Sequence, residues 1–586
     1  MAESASLLTT RAPVLHQRAI RANWEGTGPG LSSEEYARPF RISCLESGNM
    51  ILSLHFLEQL DDALKERRIG EGIRLLENAG AGWANPDIER GGAGIALRAA
   101  QWLDVGYRDR KSVEALLSRF SLGLRSRMPL RDYLELRLAE AFRALMAEDA
   151  DTAIELLEFV LKAERELGDE HLIVMAHFWK GRAHRKKGEY AAAFEHVVEA
   201  RRRAETMRAG KLAAVIEVQE AWLIFQKGEA KKALELLSHA EQQLKDTDDD
   251  ISLGNIESAR GRIVRRTGEY NLALDHYERA IAIYARRDVN HRNLARTLVN
   301  AAYVNRLVAL HLRKRIESRV PRSEHRQPAK GAEPRNHHAR YAAVCREALA
   351  QLGRAGEIYR LHEHHGGEGS VLVNAGQLHL DMGEIDRALA EALKAYTLGC
   401  EKHDQILMAR SRILEAFAEN ARVEEQLGED GDTAVYANAA QRYAEEAITL
   451  ARHTQNRRLL AGAYIVRGMT AANDFFQQWD EAKQCASRAA ALLRSDDRDH
   501  LWEELITLKA QILRASGIDE TLRAWSEGML GDKTFQQVTE EFAEIVIPKV
   551  WTREGKKVSR VAERLSISPK KVRRILRNAG LLEESK

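Results

Sequence analysis

Lys570, Lys571, Arg573, Arg574 and Arg577 place five positive charges within eight residues near the C-terminus. Cations at this density suit the recognition of phosphate, by charge and by the forked donors of arginine. The surrounding segment reads GKKVSRVAERLSISPKKVRRILRNAGLLEESK. Its spacing predicts a short helix over Ser559–Leu565, with Val561, Ala562 and Leu565 turned inward. Ser566, Ile567 and Ser568 form a turn. Pro569 opens a second helix, where its missing N–H costs nothing, and Ser568 stands at the N-cap. Val572, Ile575 and Leu576 form the buried stripe, so the five cations face outward. This is a helix-turn-helix pattern with a basic second helix. Were it to read DNA, Lys570, Lys571 and Arg574 would meet base edges near the start of that helix. Arg573 and Arg577 would hold phosphates. The alternative is a helix pair that caps the rest of the chain with a charged face.

Other chemistry is absent by type and spacing. There is no GxSxG, no HExxH and no nucleophile with a credible base, so no catalytic residue is assigned and no enzyme is expected. His362, His364 and His365 in LHEHHGGEG lack a cysteine or carboxylate pair that would complete a metal shell, and they read as a solvated turn. No metal and no cofactor is expected. GGAGIALRAA (91–100) has glycines but neither a preceding strand nor a following GK[ST], so it reads as a helix start.

The elements that carry these residues follow from composition. At 586 residues the chain exceeds what one core can bury, so several domains or an extended array are implied. Net charge is +2 with 30% charged residues. From Lys549 to Lys586 there are twelve Lys or Arg against four Glu, a balance of +8, which leaves −6 on the remainder. Positive charge is therefore concentrated around the five cations suited to phosphate. No proline lies between 130 and 320 or between 335 and 547, so both stretches read as nearly all helix. Cys44, Cys345, Cys400 and Cys485 form no CxxC pair, which favours a reducing compartment. No apolar run is long enough for a bilayer, and the N-terminus lacks the basic start and apolar stretch of a secretion signal. A cytoplasmic location, without membrane partners, is expected. Residues 1–45 read as a mobile leader.

Small residues recur at a fixed interval. Ala153, Ala193, Ala233 and Ala273 stand 40 residues apart. Val160, Ala200, Ala240 and Ala280 follow by seven; Glu148, Gly188, Gly228 and Gly268 precede by five; Ala141, Gly181, Ala221 and Gly261 precede by twelve. Such self-similarity implies stacked helix pairs in close approach, joined by tight turns. In one unit, 251–266 and 271–286 are the two helices and TGEY is the turn. Gly376, Gly383, Ala388 and Ala395 repeat the pattern, as do Ala440 with Ala447 and Ala482 with Ala489. One unit, with helices at about 291–313 and 338–361, is interrupted by a charged, proline-containing insertion that cannot bury a core.

The segment ESARGRIVRRTGEYNLALDHYERAIAIY resembles a tetratricopeptide repeat. In that family a small residue stands at the eighth position, a glycine near the turn, and alanines at the twentieth and twenty-seventh; here these are Gly261, Gly268, Ala273 and Ala280. The family's tryptophan is missing from most units, and the 40-residue spacing implies longer helices. The resemblance implies an all-α, TPR-like α-solenoid superhelix whose first helices line a binding groove. Threading its register puts Arg182, Arg185, Lys186, Arg262, Arg265 and Arg266 on or near that face, with Trp222 and Phe225 between them. A basic groove with an aromatic floor suits an acidic peptide, a carboxylate terminus or a phosphorylated ligand. Asn300 and Asn374 share the sixth position of their units, and Gln219 occupies it two units before Asn300. In peptide-binding members an asparagine there grips peptide backbone through its amide. The alternatives are solvated arginines, and capping or inter-repeat hydrogen bonds for the amides.

The C-terminal segment resembles the Fis-type DNA-binding domain, through Val572, Leu576, Gly580 and Leu581 in VRRILRNAGL. The family has two further helices ahead of this unit that pair in a dimer. TFQQVTEEFAEIVIPKVW fits one, with Phe535, Val538, Phe542, Ile545 and Val546 on an apolar stripe. The family's turn glycine is Ser566 here, and the loop before Val558 is one residue longer. The expected domains are the leader 1–45, degenerate helical repeats at 46–130, the repeat array at 131–515 with its insertion at about 314–337, and a Fis-like helix-turn-helix domain at 530–586. The resemblances together imply a homodimeric transcriptional regulator with a protein or peptide in the groove and double-stranded DNA on its C-terminal domain. The other reading is an adaptor or scaffold for complex assembly that binds no DNA.

Overall fold

The computed structural model describes residues 54–578, except 318–333, 427–432, 494–498, 516–532 and parts of 81–90, together with 581–582. The leader, Gly580, and most of the expected insertion and of the turn after 426 lie outside the described residues. All regular elements among the described residues are helices. None of these helices is long and apolar enough to cross a membrane.

The helices pack as consecutive hairpins, and the first helix of one pair also touches the first helix of the next. The chain is thus a tetratricopeptide-like helical array. The pairing follows from the small residues. Ala153, Ala193, Ala233, Ala273, Ala388, Ala440 and Ala482 are all fully buried. So are Val160, Ala200, Ala240, Ala280, Ala395, Ala447 and Ala489. A Cβ on Gly181 would stand 2.6 Å from Val197 and 3.1 Å from the Ala193 carbonyl oxygen. One on Gly261 would stand 2.5 Å from the Tyr277 ring. These positions are small because a facing helix occupies the space a side chain would need.

First and second helices bury their residues differently. In Glu170–Lys187, a first helix, residues on nearly every face are buried, Leu172 to Met175, Phe178, Trp179 and Ala183 among them. In Tyr190–Thr206, the second helix of that pair, only Ala193, Val197, Ala200 and Ala204 are buried, a single stripe at helical spacing. First helices are sandwiched within the array and second helices face outward.

Left-handed backbone at the turns falls on glycines and on several non-glycine residues, Glu148, Arg208 and His403 among them. Gly188, Gly228, Gly268 and Gly383 take φ of 81° to 92°, where a glycine has no Cβ to clash. The register puts Glu148 at the corresponding place in its own unit, and it adopts φ 66°. A non-glycine residue there carries strain of roughly 1–2 kcal/mol. Its carboxylate is anchored on several sides. Glu148 reaches Lys186 at 2.8 Å, His365 at 2.8 Å, His364 at 3.3 Å and the backbone N–H of Gly366 at 2.8 Å. His364 and His365 are therefore not a solvated turn. They clasp a residue 216 to 217 positions earlier in the chain, because the array brings the start of His365–Asp381 back beside the turn that follows Leu130–Met146.

Burial alone would raise the Glu148 carboxyl, but hydrogen bonds from His365 and Lys186 and the neighbouring positive charge outweigh it and hold it well below the usual carboxylate range. A carboxyl whose folded value is depressed gives stability that is complete above its unfolded value, near 4.5, and is lost as pH falls below it. Substitution E148Q is expected to lower the amide-exchange protection of the His365–Gly367 segment about tenfold or more at pH 7, since charge-assisted hydrogen bonds contribute roughly 1.5–3 kcal/mol. The difference from the native chain should shrink as pH falls below about 4.5. Equal protection in both chains at pH 7 would contradict this.

A second long-range closure joins the first helix pair, Leu54–Lys65 and Ile69–Ala79, to the start of Asp250–Arg266. Asp248 accepts from the N–H groups of Ile69 and Gly70, each at 2.6 Å. Asp249, fully buried, accepts from Arg67 Nε at 2.8 Å and Nη2 at 2.5 Å, and also from the N–H of Ser252 as a helix cap.

Beyond the array, Phe535–Arg553 packs on the short helices Val558–Leu565 and Pro569–Asn578. Its contribution to their core is Ile547 and Trp551, against Val561, Ala562, Val572, Ile575 and Leu576. Phe535 and Phe542, expected on an apolar stripe, are exposed in the single chain at 83% and 49%. Ser566 takes the left-handed φ of 51° expected of a turn glycine, and Ser568 Oγ accepts from the Lys571 N–H at 3.2 Å. One helix precedes the pair among the described residues; the place of a second lies outside them.

Candidate functional site

Four successive first helices carry inward-facing polar side chains. Glu170–Lys187 supplies Arg182 and Arg185, Gly210–Lys227 supplies Gln219 and Trp222, Asp250–Arg266 supplies Arg262 and Arg265, and Arg292–Glu317 supplies Arg296 and Asn300. They meet because stacked first helices bring equivalent turns side by side.

The arginines divide by partner. Arg182 is neutralised by Asp104 at 2.5 Å. Arg185 and Arg262 flank the Trp222 indole, with guanidinium carbons 5.3 Å and 5.9 Å from its centroid. Trp222 is held from another side by the edge of Tyr190, at 5.4 Å. Arg265 lies over Tyr303 at 4.8 Å and Arg266 over Phe225 at 4.1 Å. Stacked on an indole, a guanidinium gains cation–π energy without losing its in-plane donors. Arg185 Nε, Arg262 Nε, Arg265 Nε and Arg296 Nε are buried without a hydrogen-bond partner, as are Gln219 Oε1 and Asn300 Nδ2. Arg296 Nη2 donates to Asn255 Oδ1 at 3.0 Å, which also accepts from the Tyr284 hydroxyl at 2.8 Å.

Burial and the adjacent Arg296 cation push Arg185 down to about 9. Burial, Arg296 and Arg185 do the same to Arg262, also to about 9. Both remain charged at neutral pH, at a free-energy cost that a neighbouring anion would offset.

Arg182, Arg185 and Gln219 line one cavity of about 100 Å³, together with Arg296, Asn255, Gln101 and His171. Its far wall comes from Leu64, Lys65 and Arg67, so the Arg67–Asp249 closure is part of the enclosure. Trp222, Arg262, Arg265 and Asn300 continue the polar surface beyond the cavity. Asn374 is set apart from it: its Nδ2 donates to the Ser370 carbonyl 2.7 Å away, one turn back on its own helix. Its nearness to the sixth-position pattern reflects helix register, while its hydrogen bond is local.

Arg296, Asn255 and the Arg67–Asp249 pair are not evident from the sequence. Asn255 and Asp249 look like ordinary residues of a helix start until a remote helix pair is brought against them.

In the C-terminal helix trio, Lys570, Arg573, Arg574 and Arg577 are exposed and Lys571 is half-buried, on the side of their helix opposite Val572, Ile575 and Leu576. Arg574 pairs with Glu540 of the preceding helix at 2.6 Å, and Lys571 approaches the same carboxylate at 3.9 Å. Lys570, Arg573 and Arg577 make no ion pair of this kind among the described residues.

No protein-family model matches the chain, and no curated protein matches it. Among solved structures it is similar to the apo form of the quorum sensor NprR from B. thuringiensis, at 12% identity and a TM-score of 0.40, over 69% of this chain and 98% of that one. It is similar to an IFIT1 monomeric mutant bound to Gppp-AAAA, at 13% identity and 0.38, over 75% and 88%. It is also similar to a signal transduction ATPase with a tetratricopeptide repeat sensor from Pyrococcus horikoshii, at 15% identity and 0.33, over 78% and 66%.

Proposed function

We propose that the chain is a DNA-directed regulator: the helical array receives a protein or peptide ligand on its inner surface, and the C-terminal helix trio, of Fis type, binds double-stranded DNA as a homodimer. The observation that carries this reading is the outer face of Pro569–Asn578, where five cations project from a helix whose other face is buried. A helix of ten residues presented on a small core matches the way a recognition helix enters the major groove. The exposed Phe535 and Phe542 support a partner subunit at the preceding helix. Arrayed amides and arginines on the inner surface support an extended, acidic ligand there.

The adaptor reading keeps one specific support: Arg574 and Lys571 already face Glu540, as in a self-contained cap. A labelled random duplex titrated with the intact chain and with a chain ending at Leu530, across a salt series, separates the two. DNA binding predicts affinity that falls steeply with salt and disappears on truncation. Absent or equal binding by both chains overturns the DNA assignment and leaves the adaptor.

A further inference from the structure

The cavity behind the first helix pair has a composition its walls do not explain. Five of its lining residues are lysine or arginine, and the acidic one is Asp104. Arg182 is matched by Asp104 and Arg67 by Asp249. Arg185 and Arg296 are matched by no carboxylate among the described residues, and Arg262 adds its field from across Trp222. Charges enclosed by protein are ordinarily paired, so this group is built to meet an anion from outside.

We propose that the cavity binds a compact organic phosphate, its phosphoryl group on Arg185 and Arg296 and its organic part against Met175, Phe178, Val215 and Val218. This deepens, and rests on, the reading of the inner surface as the ligand-receiving face. Charge selects the class. Two unmatched guanidinium groups with a third nearby balance a phosphate monoester of charge about −2 better than a carboxylate of charge −1. Forked N–H donors fit the oxygens of either, and Gln219 and Asn255 add hydrogen-bonding capacity at the same wall. Size also selects: a cavity of about 100 Å³ admits a compact group or the end of a chain, not a folded partner.

The test is calorimetric titration of the intact chain at neutral pH with phenyl phosphate, inorganic phosphate and benzoate. Phenyl phosphate is expected to bind about tenfold or more tighter than benzoate, and tighter than inorganic phosphate because of the apolar wall. R185Q and R296Q are each expected to weaken it about tenfold or more, the loss of one charge-assisted pair. K232Q, on an exposed second helix, should leave it unchanged, which separates the cavity from general attraction to basic surface. R185K, which keeps the charge but not the fork, should retain part of the affinity and guards against misfolding of R185Q. Benzoate binding as tightly as phenyl phosphate, or phenyl phosphate binding undiminished in R185Q and R296Q, would overturn the proposal. So would the absence of phenyl phosphate binding. If peptides from a random display library are still retained by the inner surface in that case, the groove reading stands and the phosphate assignment alone falls; if they are not, both fall.

Discussion

Replacing Lys570, Arg573 and Arg577 together with glutamine should remove most duplex DNA affinity from the full-length chain while leaving its fold intact. All three side chains are exposed, none touches the core of Ile547, Trp551, Val561, Val572, Ile575 and Leu576, and glutamine is well tolerated in helices. Removing one cation from a phosphate should make the salt dependence shallower by about one unit of log K per log salt. With Arg573 and Arg577 as the phosphate contacts, the triple substitution should therefore flatten the slope by roughly two per C-terminal domain, and by twice that in a dimer. E540Q is informative in the opposite direction. Glu540 holds Arg574 at 2.6 Å and faces Lys571, so removing its charge frees both cations for DNA. Tighter duplex binding with a steeper salt slope is the expected result. Anisotropy titrations at several salt concentrations measure both. An unchanged slope in the triple variant would mean that the tail contacts no phosphate.

The second large effect is on stability. D249A should destabilise the closure between the first helix pair and Asp250–Arg266 by about 3–5 kcal/mol, because it strands the buried Arg67 cation without a partner. Loss of the cap on Ser252 adds about 1 kcal/mol. The damage should be local. A repeat array is stabilised by nearest-neighbour interfaces, so amide exchange should rise in Leu54–Ala79 and around Ile251 but not in the helices after Thr433. The double variant R67M/D249L should recover most of the stability, since a well-packed apolar pair often equals a buried ion pair. If the double variant is as unstable as D249A, the stranded charge is not the cause. D249A should also weaken whatever the adjoining cavity binds, since Arg67 forms one wall of it.

Helix pairing is legible in the sequence because it is local. Gly181 and Gly261 stand twelve residues before Ala193 and Ala273, and the close approach each makes lies within its own hairpin. The unit expected over 251–286 spans Asp250–Arg266 and Tyr270–Arg287. The two C-terminal helices are equally legible, from a capping serine, a proline at the helix start and an apolar stripe. The inner-surface residues are legible only as a set. Arg182 and Arg185 are three positions apart on one helix and identical in type, yet Asp104 neutralises the first and no carboxylate among the described residues meets the second. Nothing in the neighbouring sequence distinguishes them, because Asp104 lies 78 residues away. The histidines beside Gly366 look solvated in the sequence for the same reason: their partner, Glu148, is more than 200 residues distant.

What the sequence determined by itself is the all-helical fold, the repeat and the turns, which depend on the period of a helix and the width of a hairpin, and the concentration of positive charge at the C-terminal segment. What the tertiary structure alone decided is which turns return to touch one another, and so which charges are paired, which are enclosed, and where a cavity closes. That outcome depends on small rotations summed over several helix pairs. No short stretch of residues encodes the sum, although every stretch contributes to it.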